Sequence, residues 1–136
     1  MCRYEMTDGQ RPQTLEIIAA DDNRSQRLLL RRCLTAAGHH IRVAKDGREA
    51  LQLANEQQPD LIVTDLEMPG GNGFDLIDAI RGSDNQSLRH VPIIVCSSRS
   101  ETISLNHVLD QGADSFVTKP VHVHELQLAI QNLTTL

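Results

Sequence analysis

The sequence predicts an α/β fold, a doubly wound parallel sheet with helices on both faces. Two observations carry this. Short apolar runs rich in β-branched residues recur five times, and each is followed by a helix-length stretch with apolar residues three and four apart. Parallel neighbours need a crossover connection, usually a helix, so this alternation marks a parallel sheet rather than a meander.

The 136 residues suit one domain with its own core. Residues 1–14 are polar and patternless and are expected to form a flexible tail, which leaves 15–136 as the domain. The first strand is LEIIAA (15–20), and its helix carries Leu28, Leu29, Arg32, Cys33 and Ala36 before stopping at Gly38. HIRVA (40–44) is the second strand, followed by Ala50, Leu51, Leu53 and Ala54 ahead of Pro59. DLIVT (60–64) is the third, followed by Phe74, Leu76, Ile77 and Ile80 ending near Gly82. RGSDNQSLRH (81–90) reads as a polar loop. VPIIVCS (91–97) is the fourth strand, with Ile103, Leu105, Val108 and Leu109 running to Gly112. DSFVT (114–118) is the fifth, and Leu126, Leu128, Ala129, Ile130 and Leu133 form the last helix. Right-handed crossovers leave few windings, and the flavodoxin-like (βα)5 order 2-1-3-4-5 sets strands one and three side by side.

Composition narrows the function. The net charge of −5 argues against nucleic acid, which calls for a concentrated basic surface. Arg31 and Arg32 read as solvated helix charge. No apolar run approaches the roughly 20 residues of a membrane span, and MCRYEMTDGQRPQT lacks the apolar segment of a secretion signal. A cytoplasmic protein without membrane contact is expected. Cys2, Cys33 and Cys96 are odd in number, far apart and outside any C-x-x-C, and Cys33 and Cys96, set among apolar residues, read as buried reduced thiols. His39-His40 and His122-x-His124 do not share a helix face and read as surface or core-edge residues, not metal ligands.

In a sheet of this kind ligands bind beyond the carboxyl ends of the strands. The first strand ends in Asp21-Asp22, the third in Asp65, the fourth in Ser97-Ser98 and the fifth in Lys119-Pro120. Each residue alone has a plainer reading: a helix cap for Asp21 or Asp22, a turn for Asp65, loop positions for Ser97 and Lys119. Together these readings require independent accidents at one edge. Three crowded carboxylates repel one another unless a cation neutralises them. A hard divalent ion with oxygen ligands fits, Mg²⁺ first, since it takes one or two carboxylates and leaves room for phosphate oxygens. Lys119 adds a fixed positive charge and Ser97 a hydroxyl donor.

ADD (20–22), TDLEMPGGNG (64–73), PIIVCSS (92–98) and GADSFVTKP (112–120), in this order and spacing, resemble the response-regulator receiver domain, the phosphoacceptor module of two-component signalling. The resemblance runs from about Leu15 to Leu133. It implies Asp65 as the phosphorylated aspartate. It implies Asp21 and Asp22 as the acid pair for Mg²⁺ (Mn²⁺ as a substitute), with the backbone carbonyl of Glu67 as a further ligand. Ser97 would be the switch hydroxyl, Phe116 the switch aromatic and Lys119 the phosphate-contacting lysine, with a cis peptide before Pro120. Departures are Ser97 where Thr is frequent, Phe116 where Tyr is frequent, and Asn72 where Asp is common before the glycine.

The resemblance further implies a histidine kinase or phosphotransfer protein as donor, a downstream effector protein, and a dimer that forms on phosphorylation. The switching face would be made by the fourth helix, fifth strand and fifth helix, around His107, Val108, Phe116 and His122. The domain would be a stand-alone regulator or a module of a larger hybrid kinase or regulator, acting on no substrate but its own aspartate. Two other readings compete. A phosphatase working through an aspartyl phosphate is suggested by Asp65-x-Glu67, but that pair follows the third strand and no cap insertion exists. An FMN module needs a Ser/Thr-rich phosphate loop and aromatics, whereas AADDNRSQ (19–26) supplies acids and only Tyr4, Phe74 and Phe116 are aromatic.

Overall fold

A computed structural model describes residues 14–66, 68, 72–98 and 102–134, the side chains of 102–106 excepted. The elements run β1 (Glu16–Ala20), α1 (Arg24–Ala36), β2 (His40–Ala44), α2 (Gly47–Glu56), β3 (Leu61–Asp65), α3 (Gly73–Arg81), α4 (Gln86–Arg89), β4 (Ile93–Ser97), α5 (Thr102–Gln111), β5 (Ser115–Thr118) and α6 (Val123–Thr134). All four strand pairings are parallel, and the order is β2-β1-β3-β4-β5. The predicted fold class and strand order are those observed. Residues 1–13, most of the expected tail, and Glu67 lie outside the described residues.

Strand periodicity sorts the core into two layers, because successive side chains point to opposite faces. Ile18, Ala20, Ile62, Ile93 and Val95 face one way and pack with Ala50, Ala54, Leu76, Ile77, Ile80 and Val108 from α2, α3 and α5. Ile17, Ala19, Leu61, Val63, Ile94, Cys96 and Val117 face the other and pack with Leu30, Leu34, Leu126 and Ile130 from α1 and α6. β3 and β4 are buried along their whole length, as strands covered on both faces must be. The Leu15 N–H donates to Nδ1 of His39 at 3.1 Å, which ties the entry of β1 to the turn before β2 and requires that nitrogen unprotonated. Burial lowers the His39 pKa in keeping with this.

Three expectations change. Leu28 and Leu29 do not form the buried face of α1: they are 53% and 42% exposed, while Leu30 and Leu34 are buried. A run of three leucines leaves the phase open, and the start of the helix at the Asn23 cap sets it. The 81–90 segment is not all loop: Asn85 caps the short α4 by accepting from the amides of Ser87 and Leu88, and buries Leu88. The fourth and fifth predicted helices are therefore α5 and α6. Val108, expected on a partner face, is fully buried and belongs to the core.

Candidate functional site

Parallel strands deliver their carboxyl ends to one edge of the sheet. Asp21 and Asp22 follow β1, Asp65 ends β3, Ser97 ends β4 and Lys119 follows β5. The helix-cap reading of the acid pair is settled by Asn23, whose side chain accepts from the Gln26 amide at 3.0 Å. Asp21 and Asp22 are left to the site.

Carboxylate oxygens of Asp21, Asp22 and Asp65 lie within 4.8 Å of one another. Asp21 and Asp65 are buried and Asp22 is exposed. Every polar group of Asp21 is engaged. Its N–H donates to the Ala44 carbonyl at 3.0 Å, and its own carbonyl accepts from Nη1 of Arg27 at 2.8 Å. Its Oδ1 accepts from the Asn23 amide at 2.9 Å, and its Oδ2 from Nζ of Lys119 at 3.0 Å. Asp65 is engaged on one side only. Its Oδ1 accepts from the Leu66 amide at 2.8 Å and lies 3.3 Å from Nζ of Lys119. Among the described residues no hydrogen bond reaches its Oδ2.

The charges respond to this geometry. Burial, with the charge of Asp21 adding to it, pushes the Asp65 carboxyl up to about 6 against the pull of Lys119 and the Leu66 amide. Burial alone would lower the Lys119 pKa, but the hydrogen bond and charge of Asp21, with Asp65, outweigh it and leave the ammonium raised. Lys119 thus lies closer to Asp21, and its pull on Asp65 only partly offsets the burial of that carboxyl. A divalent cation fits such a set: clustered hard oxygen donors, a carboxylate oxygen that accepts no hydrogen bond among the described residues, and a carboxyl whose ionised form is only partly compensated. Beside Asp65 in the sheet register, burial pushes the Cys96 thiol up to about 12, so it takes no part as a nucleophile.

Ser97 is buried, and its Oγ donates to the Ser98 carbonyl at 3.1 Å; among the described residues no hydrogen bond joins it to Asp65. Phe116 is half-buried against the core. The Lys119 amide donates to the Ser97 carbonyl at 2.7 Å, and the Lys119–Pro120 peptide is cis. His107 and His122 are exposed, and the His107 ring stands 5.6 Å from that of Phe74 on α3.

Two residues near the site escaped the sequence reading. A Cβ on Gly73 would stand 2.5 Å from the Asp65 carbonyl oxygen, so only glycine lets α3 start against the end of β3. Its N–H donates to the Leu66 carbonyl at 2.8 Å. The three glycines after Asp65 were a signal of close approach, but not of which one made it. Arg27 looked like any helix arginine.

The model of the family described as response regulator receiver domain matches residues 17–131. The chain belongs to that family. It is 36% identical over 115 residues to the transcriptional regulatory protein AfsQ1 of Streptomyces coelicolor, covering 85% of this chain and 49% of that protein. It is 30% identical over 111 residues to the sensory/regulatory protein RpfC of Xanthomonas campestris pv. campestris, covering 82% of this chain and 15% of that protein. The chain thus spans about half or less of the length of these curated relatives. Among solved structures it is similar to the chemotaxis response regulator CheY4 of Vibrio cholerae, with a TM-score of 0.79, 29% identity, and 89% and 99% of the two chains covered. Receiver domains are signalling modules of two-component systems, not classical enzymes; they bind Mg²⁺ and interact with histidine kinases and downstream effectors. Among the described residues no helix is long and apolar enough to cross a membrane.

Proposed function

We propose that this receiver domain takes a phosphoryl group from a phosphohistidine of a histidine kinase or phosphotransfer protein onto Asp65. The observation that carries the reading is the asymmetry of that carboxylate. Oδ1 is held by the Leu66 amide and faces Lys119, while among the described residues no hydrogen bond reaches Oδ2, which stands beside two further acids. One oxygen orients the group and the other attacks.

Oδ2 forms a bond to phosphorus as the P–N bond to the donor imidazole breaks, and the imidazole nitrogen keeps that electron pair. Asp21, Asp22 and Asp65, with the backbone carbonyl of Glu67, would hold Mg²⁺, which supplies positive charge to the transferring oxygens. Lys119 supplies a second, permanent charge at the same place. It can do so because Asp21 already holds its ammonium at the mouth of the site.

The aspartyl phosphate offers new acceptors to the Ser97 hydroxyl. Its turn away from the Ser98 carbonyl frees space toward which Phe116 can move, biasing the face made by α5, β5 and α6 between two populations. His107 and His122 are exposed on that face to an effector or a second copy, Phe116 is half-buried there, and Val108 supports it from beneath. The whole protein is a stand-alone regulator or carries this domain as one module, and it works in the cytoplasm.

Incubation with Mg²⁺ and acetyl phosphate or a phosphoramidate, followed by intact-mass measurement, is the test. One added phosphoryl group is expected in the wild type and none in Asp65→Asn. No addition to the wild type, or equal addition to both, overturns the assignment. Repeated turnover of donor per chain would point instead to a phosphatase.

A further inference from the structure

The acid pair is carried by one peptide unit, and that unit is held from outside the cluster. Arg27, one turn into α1 and half-buried, donates from Nη1 to the Asp21 carbonyl oxygen at 2.8 Å. This oxygen and the Asp22 N–H belong to one planar group, so fixing the oxygen fixes the plane and the Cα of Asp22 with it. Asp21 has three other anchors: Ala44, Asn23 and Lys119. Asp22 is exposed, and among the described residues no hydrogen bond or ion pair reaches its carboxylate.

We propose that Arg27 is a positioning residue for the cation site, holding the Asp22 carboxylate within reach of Asp21 and Asp65 through the Asp21–Asp22 peptide. This rests on reading the cluster as the Mg²⁺ site of a phosphoacceptor. Arg27 also brings a positive charge, which on its own repels a divalent cation. The two roles predict opposite signs. If Arg27 acts only as a charge, its removal tightens cation binding; if it holds the peptide, its removal loosens it.

The experiment measures Mn²⁺ binding directly, from the electron paramagnetic resonance signal of the free ion, at fixed pH and ionic strength. Arg27→Ala is expected to bind about tenfold more weakly than wild type, the lower end of what loss of a residue orienting a metal ligand costs. Arg27→Lys, which keeps a donor at similar reach, is expected to retain most of the affinity. Hydrogen exchange in EDTA should be faster at the Asp22 and Asn23 amides of Arg27→Ala and unchanged across β3 and β4. Should Arg27→Ala fail to fold, Arg27→Met keeps the aliphatic stem without the donor and carries the same expectation. Binding by the donor-less variant as tight as wild type, or tighter, overturns the inference while leaving the phosphoacceptor reading in place. A wild-type protein that binds no Mn²⁺ overturns both.

Discussion

Lys119 is bonded more closely to Asp21 than to Asp65: its Nζ lies 3.0 Å from Oδ2 of the first and 3.3 Å from Oδ1 of the second. The lysine that would meet a phosphoryl group is thus held more closely by the neighbouring acid, within ion-pair reach of Asp65. That position keeps two buried carboxylates from facing each other uncompensated.

Removing the lysine should therefore cost stability as well as chemistry. Breaking a buried pair by deleting one partner costs about 3–5 kcal/mol. Lys119 is 20% exposed at its side chain, so part of that is relieved by water. Lys119→Met is expected to lose about 2 kcal/mol in urea unfolding at pH 7. Added Mg²⁺, binding the folded state only, should restore part of the loss. A Lys119→Met protein as stable as wild type without divalent cations would show that the acids need no compensation.

Asp65 makes the converse prediction. Its carboxyl is raised from 3.8 to about 6 in the folded protein. Between those values the folded state binds the proton that the unfolded state has released, so stability falls as pH rises through this window. Above about 6 the ionised group leaves the fold weaker by ~3 kcal/mol, taking about two pKa units at about 1.4 kcal/mol each. Asp65→Asn cannot ionise. It should be more stable than wild type at pH 7 by up to ~3 kcal/mol, and close to wild type at pH 3.5, in urea titrations without divalent cations. The same gap at both pH values would mean that packing, not charge, sets the difference.

These residues were legible in sequence because a carboxylate at the end of a buried apolar run is costly and needs a reason. LIVTD is buried throughout in the structure, Asp65 included. The strands were legible for a related reason: short β-branched runs between helix-length stretches leave little choice of element, most clearly for β3 and β4, which are buried throughout. The face of α1 was not, since Leu28, Leu29 and Leu30 are equivalent in composition and differ only in helix phase. Val108 was marked for the core by its apolar spacing in the fourth predicted helix, and its placement on the partner face ran against that signal. Arg27 and Gly73 were invisible as site residues because their roles are contacts to backbone atoms, and backbone atoms carry no sequence signal.

Gly73 is testable on those terms. A methyl group at Cα would stand 2.5 Å from the Asp65 carbonyl oxygen and 3.0 Å from Cα of Leu66. Both are backbone, so no side chain can swing aside. Either α3 shifts outward or the end of β3 moves, at about 1–3 kcal/mol for an overpacked site. Gly73→Ala should lower the unfolding midpoint and slow phosphorylation from acetyl phosphate. Gly82→Ala is the control: its Cβ would meet only the Asp78 carbonyl at 3.1 Å, far from the acids in the chain, so it should leave the phosphorylation rate intact.

Arg81 is the joint between α3 and the elements beyond it. Its Nε donates to the Gly112 carbonyl at 2.9 Å, and its Nη1 to the carbonyls of Arg89 and Val91 at 2.8 and 2.7 Å. Its Nη2 bonds Asp114 at 2.8 Å, and the same Asp114 oxygen accepts the Ile93 amide at 2.9 Å. One guanidinium thus ties the end of α3 to the end of α5 and the entry of β4. Arg81→Ala should cost about 2–3 kcal/mol in urea unfolding, and Arg81→Lys should recover little, because an ammonium cannot reproduce the planar fork. Gly112 supplies the specific check. Its φ of +135° is strained for any L side chain, and a Cβ there would stand 2.9 Å from Cγ of Arg81. In Gly112→Ala both penalties apply, whereas in the Arg81→Ala background only the backbone strain remains. The double variant should therefore be more stable than the sum of the single losses by about 0.5 kcal/mol or more. Strict additivity would show that the arginine stem yields freely and that the clash contributes nothing.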